Sequence, residues 1–337
     1  MWSALLAALW LAACGSSSPA APSDGSGGST ASTTGRFQTT GRLIDALSGA
    51  AVPGVTPTSS ETRQTYLSAT DANGAFTLGV DSAGTGGLAF SFSGPSIVTR
   101  QTFVKVPGDA VTITAIPKTF DLAAFDELCR STMLSRWTSA PPLVLQTQTL
   151  QFSNANESAF TAIGETMADA DATALIGDLT SALPQLTGSQ FGGFAGTTRV
   201  TSAAGASVAM LVEGRITVGR FAGLSAAVGS VGLSRWLFRT DGVVVGGVIM
   251  LDRDFDRSSA ATVRAIRMHE LGHALGYNHV TSRTSVMNPI PVSEPNAGDL
   301  AATRLAFQRP PGNKTPDIDP SGYSTNSLRL VWTAPIR

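Results

Sequence analysis

The stretch that most constrains this chain runs from Met268 to Val280 and reads M-H-E-L-G-H-A-L-G-Y-N-H-V. It sets His269, Glu270, His273, Gly276 and His279 in the order H-E-x-x-H-x-x-G-x-x-H, and it holds all 3 histidines of the 337-residue chain. From Thr262 to Leu275 there is no proline and no glycine except Gly272, while Val263, Ile266 and Met268 recur at helical intervals, so the spacing predicts a helix here. Positions four apart share a helix face, so His269 and His273 present two imidazoles side by side. That pair suits two corners of a zinc tetrahedron, where Zn–N bonds are about 2.0–2.1 Å. Glu270 is turned about 100° from His269 and hangs beside that point without being forced to ligate. His279 lies about 9 Å beyond His273 on a straight helix, and on another face. It reaches the same metal only if the helix stops, and Gly276 tolerates the left-handed backbone that ends helices. Three protein ligands leave a fourth position for water, the pattern of a catalytic zinc.

Beyond His279 the chain reads Ser285-Val286-Met287-Asn288-Pro289. The H-E-x-x-H-x-x-G-x-x-H run followed by such a methionine resembles the signature of the metzincin zinc peptidases. The resemblance implies that His269, His273 and His279 hold one catalytic zinc, that Glu270 is the general base and that Met287 lies on a tight turn beneath the ligands. It implies an α+β catalytic domain, with a mixed twisted sheet and a long active-site helix, acting on protein or peptide. In that fold one strand of the region 199–251 forms the upper rim of the cleft, where an extended peptide pairs through main-chain hydrogen bonds. Pro289 stands where astacin-like and serralysin-like members place a tyrosine, and Val280 where matrixin-like members often have serine. The likeness to matrixins is therefore a loose one.

The N-terminus sets the expected location. The apolar run from Trp2 to Ala13 is too short for a mature membrane span and suits a signal segment. Leu11-Ala12-Ala13-Cys14 resembles a bacterial lipobox, which implies cleavage and lipidation at Cys14, residues 1–14 being the signal. Gly15 follows, not aspartate, which points to the outer membrane in a Gram-negative cell. The alternative is an ordinary signal and a secreted protein. Residues 15–36 are mostly Gly, Ser, Ala, Thr and Pro and read as a flexible tether.

Residues 37–118 read as a small all-β sandwich, with strand-like runs at 38–44, 65–69, 75–80, 87–92 and 111–116. Asn73-Gly74 supplies a hairpin signal. Together with Gly41-Arg42-Leu43-Ile44-Asp45 it resembles the carboxypeptidase regulatory-like sandwich. With no histidine or cysteine there, a spacer or adhesion role is the expectation.

The catalytic domain is placed at 120–309. Phe160, Ile163, Met167, Ala170 and Ala174 recur at helical spacing, capped at Asn156 or Ser158, and Pro184 with Gly188 closes that helix. Strands are expected at 208–212 and 243–251, with the glycine-rich 214–232 as surface loop. Asp252, Asp254 and Asp256 offer hard oxygens for calcium, or serve as turn and cap residues; no complete calcium loop is present. Cys129 reads as a buried structural residue. Asp299 can cap a helix ending near Gln308, and 310–337 reads as a poorly ordered tail.

A 42% apolar and 14% charged composition supplies real cores, while a net charge of −1 and no basic run give nothing for nucleic acid. The sequence thus points to a monomeric zinc endopeptidase of the cell envelope, its membrane contact being the lipid anchor. The alternative is a non-catalytic surface lipoprotein or adhesion module with a relic or structural metal site.

Overall fold

Seven short strands open the computed structural model, which describes residues 35–84, 86–322 and 329–333. Cys14 and the tether up to residue 34 lie outside the described residues. The strands are β1 (Phe37–Asp45), β2 (Pro57–Ser59), β3 (Thr65–Leu67), β4 (Ala75–Val80), β5 (Gly87–Phe92), β6 (Arg100–Lys105) and β7 (Val111–Ala115). They form two sheets, ordered β3-β4-β1-β7 and β2-β5-β6. Alternation puts Leu43, Phe76, Leu78 and Val80 of the first against Leu88, Phe90, Phe92 and Val104 of the second in one apolar core. Strands β2 and β6 carry no alternating apolar signal in sequence and were not expected.

The rest is built on one large sheet. Helix α1 (Leu122–Cys129) precedes β8 (Leu143–Gln151), β9 (Ala159–Thr166), α2 (Asp169–Leu186), β10 (Thr197–Val200), β11 (Ser207–Ala209), β12 (Ile216–Ala222), α3 (Leu224–Val228), β13 (Gly232–Arg239) and β14 (Val244–Asp252). Then come α4 (Ala260–Leu275), α5 (Ala297–Phe307) and β15 (Arg329–Thr333). The sheet order is β11-β9-β8-β12-β14-β13-β15, with β10 also on β8. β8, β12 and β14 run parallel at its centre, and β13 turns antiparallel on β14. Leu143, Leu145, Val218 and Ile249 face the helices α2, α4 and α5, while Leu150, Phe221, Val248 and Met250 face a smaller core on the opposite side.

Three sequence expectations are corrected here. Residues 159–166 are strand, not the start of a helix: Phe160 and Ala162 are buried alternately, Ala162 pairs with Leu150 of β8 and Phe160 with Val208 of β11, and α2 begins only at Asp169. Phe160 and Ile163 matched a helical period only by coincidence of spacing. Pro184 lies inside α2 rather than ending it; the carbonyl it leaves unbonded belongs to exposed Thr180, where water can serve it. The glycine-rich segment is not surface loop. Its first half is β12, buried at every position. A strand covered on both faces shows no alternation, which is why its pattern was not visible.

The tail is corrected as well. Asn313 and Asp317 are fully buried, and Asp319 nearly so. Arg309 bonds Asp317 through Nε (2.7 Å) and Nη2 (2.9 Å). It also bonds the Thr114 carbonyl of β7 at 2.9 Å. Arg100 of β6 reaches Asp317 at 2.9 Å and Asp319 at 2.5 Å. Main-chain bonds join Gln101 to Asp317 and Asp319. These residues read as loop because their partners lie some 200 positions earlier in sequence, out of reach of any periodicity.

Candidate metal centre

Helix α4 starts at Ser259, whose hydroxyl accepts from the Thr262 N–H, a normal N-cap. It ends at Gly276, in the left-handed region at φ 111°. There the Gly276 and Tyr277 N–H groups bond back to His273 and Gly272 carbonyls. A Cβ at Gly276 would stand 2.5 Å from the Ser135 carbonyl oxygen, so packing as well as conformation demands glycine there. The reversal brings His279 back to the helix. The Nε2 atoms of His269 and His273 stand 3.0 Å apart, and that of His279 is 3.2 Å from each.

Three nitrogens this close, facing one another, repel unless something positive sits among them. Tetrahedral ligands at about 2.0–2.1 Å from a zinc are about 3.3–3.4 Å from one another, so the triad fits that ion closely. The outer nitrogens support the fit. His269 Nδ1 stands 2.8 Å from the Val286 carbonyl and His273 Nδ1 2.7 Å from the Tyr277 carbonyl. A carbonyl can only accept, so each Nδ1 carries the proton and each Nε2 turns its lone pair inward. Burial lowers His269 to about 4, with the neighbouring His279 adding to the effect; burial likewise holds His273 well below its ordinary value. Both rings are thus neutral and ready to ligate at pH 7.

Glu270 is buried beside them, and burial pushes its carboxyl up to about 8. Among the described residues its Oε2 has no hydrogen-bond partner. The start of β13 lies against it: a Cβ on Gly232 would come within 2.3 Å of Glu270 Oε1. Two residues on, the Ser234 hydroxyl donates to the Glu270 main-chain carbonyl at 3.0 Å.

Met287 packs beneath the helix, where a Cβ on Gly272 would meet its sulfur at 2.4 Å. Its carbonyl accepts from the Val280 N–H at 2.8 Å. The turn is braced by Asp299, which accepts from the Ser285 hydroxyl (2.7 Å) and the Val286 N–H (3.1 Å). Asp299 is not the N-cap of α5. Asn296 is, and Asp299 closes a capping box with it.

The structure therefore brings His269, Glu270, His273, His279 and Met287 together. Sequence reasoning missed Gly232, Ser234 and Tyr277, and saw Asp299 only as a cap. The Asn296-to-Asp299 spacing was visible, but nothing local signals contacts to a turn ten or more residues earlier. The three aspartates considered for calcium are engaged otherwise. Asp252 accepts from the Asp254 and Ser225 N–H groups, and Asp256 pairs with Arg220 and Arg267. Asp254 pairs with Arg253 and Arg257. Among the described residues the three histidines are the one cluster with metal-ligand geometry. Cys129 is buried at the end of α1, and burial raises its thiol far above the ordinary range.

A mixed sheet, few helices and this triad fit a metzincin-like zinc metallopeptidase domain. The model of the matrixin family matches residues 192–302, a third of the chain that spans the triad and Met287. No curated protein matches the chain.

Proposed function

We propose that the protein is a zinc-dependent endopeptidase held at the cell envelope by lipid on Cys14. The observation that carries the peptidase reading is the convergence of three imidazole Nε2 atoms within 3.2 Å beside the buried carboxyl of Glu270. His269, His273 and His279 hold the zinc, which when bound supplies Lewis acidity and brings a water's pKa toward about 7. Glu270 takes the proton of the attacking water and returns it to the leaving amine. Its Oε2, buried beside the triad and without a hydrogen-bond partner among the described residues, is open to the water's proton. Strand β13, starting against Glu270, is the rim on which an extended peptide lies. Residues 37–118 act as a carboxypeptidase regulatory-like module. No helix among the described residues is long and apolar enough to cross a membrane, so the anchor proposal rests on the lipobox alone.

Metal analysis and casein hydrolysis on the chain from residue 35 onward test the chemistry. One zinc per chain and chelator-sensitive cleavage are expected, with Glu270→Gln keeping the zinc and losing about 10²–10⁴-fold in rate. A protein without zinc sinks the reading. One with zinc and no cleavage favours a binding role. For the anchor, Cys14→Ser should move the protein from the membrane fraction to the soluble one; an unchanged distribution argues against lipidation.

A further inference from the structure

The edge of the large sheet beside the metal centre is already partly occupied. β15 pairs antiparallel with β13 from Arg239 opposite Arg329 to Arg235 opposite Thr333. The outer edge of β13 would otherwise offer bare main-chain N–H and C=O groups over that length. Residue 232, whose Cβ position abuts Glu270, is 3 positions from Arg235. At strand rise this is about 10 Å. Because the pairing is antiparallel, the Thr333 end of β15 is the end nearer the metal centre.

Two apolar side chains of the occupant stay half-exposed. Leu330 and Val331 are neighbours and therefore point to opposite faces, yet they remain 45% and 50% exposed. These two side chains gain limited apolar burial, while main-chain pairing runs through all 5 positions of the strand. An extended peptide brings the same main-chain groups in the same geometry. Whatever binds along 235–239 must replace β15.

Resting on the peptidase reading, we propose that β15 is a displaceable internal occupant of the peptide-docking edge, so that an extended substrate engages β13 fully only when Arg329–Thr333 has left it. The site is then restrained by its own chain, through competition for one strand edge rather than through a ligand on the metal.

The test compares three full-length or shortened proteins in the Glu270→Gln background, where a peptide binds without being cut: the full chain, the chain ending at Gly322, and the full chain with Leu330→Pro and Val331→Pro. Adjacent prolines remove ladder donors on both sides of the strand, so one of them strikes the β13 side. The probe is a fluorescent casein-derived peptide followed by anisotropy, with amide hydrogen exchange read at 235–239. Both altered proteins should bind the probe on the order of tenfold tighter, since the competent fraction rises. Both should exchange faster at 235–239, and a synthetic peptide of the 325–337 sequence added in trans should restore protection and compete with the probe. Equal affinity in all three proteins, or unchanged exchange at 235–239, overturns the proposal. A shortened chain with Glu270 intact that binds the probe tightly but never cuts it supports the edge assignment and sinks the peptidase reading instead.

Discussion

Glu270 and the histidines pull the metal-free protein in opposite directions as pH changes. The Glu270 carboxyl titrates near 8 in the fold against an ordinary 4.5, so the folded protein binds more protons than the unfolded chain across that window. Its contribution is lost as pH rises. His269 titrates near 4 against 6.5, and burial holds His273 well below its ordinary value too, so the folded protein binds fewer protons there and stability is lost as pH falls. Between 4.5 and 6.5 the effects oppose one another; from 6.5 to 8 only Glu270 acts. The melting temperature of the chelator-stripped protein should therefore decline from about pH 6.5 to 8, and Glu270→Gln should flatten that limb. A flat wild-type profile, or an equal slope in the variant, contradicts the buried carboxyl. His269 and His273 could be read directly because positions four apart share a helix face, and Glu270 and His279 followed from their place in the same motif, with Gly276 ending the helix between the histidines. Gly232 and Ser234 could not, because they reach Glu270 from β13, some 36 positions earlier in the chain.

Among the elements, the turn of Met287 shows how a site is supported from outside its motif. Val286 presents the carbonyl that orients His269, and Asp299 holds the Val286 N–H and the Ser285 hydroxyl. Asp299 also completes the cap of α5 and faces Arg283 at 3.2 Å. Asp299→Ala leaves buried donors unmet and should cost about 2–4 kcal/mol in urea unfolding. Zinc should also escape to a chelator faster than from the wild type, because His269 loses its orientation. A variant with wild-type stability and zinc retention would show that the turn holds itself. Helix α4 and strands β4 and β5 were legible because one periodicity dominates each, and β14 because it is a nearly unbroken apolar run. β9 and β12 were not: the first mimicked a helical interval, and the second is buried on both faces.

For the whole molecule, the two-sheet unit and the peptidase sheet share structure that domain reasoning divides. Ala46 and Ile116 belong to the same apolar core as the zinc helix. Arg304 and Gln308 of the α5 end donate to the Leu47 and Ala46 carbonyls at 2.9 Å. Arg309, fully buried with Asp317, is bonded from β7 on one side and by its own tail on the other. Arg309→Ala removes one of the two arginines on the buried Asp317 carboxylate, leaving Arg100 at 2.9 Å, and should cost about 3 kcal/mol, the low end for breaking a buried pair. A chain lacking residues 37–118 should give no cooperative melting transition, because Arg309 and Asp317 lose Thr114 and Arg100 together; a sharp transition in that chain would show that the units fold independently. The gathering of all 3 histidines at one point has a practical corollary. Expressed without a polyhistidine tag, the protein yields imidazole signals in a magnetic resonance spectrum from the metal centre and nowhere else. Every such resonance is then a resident probe of metal loading, protonation and anything that approaches the cleft, with no label to introduce.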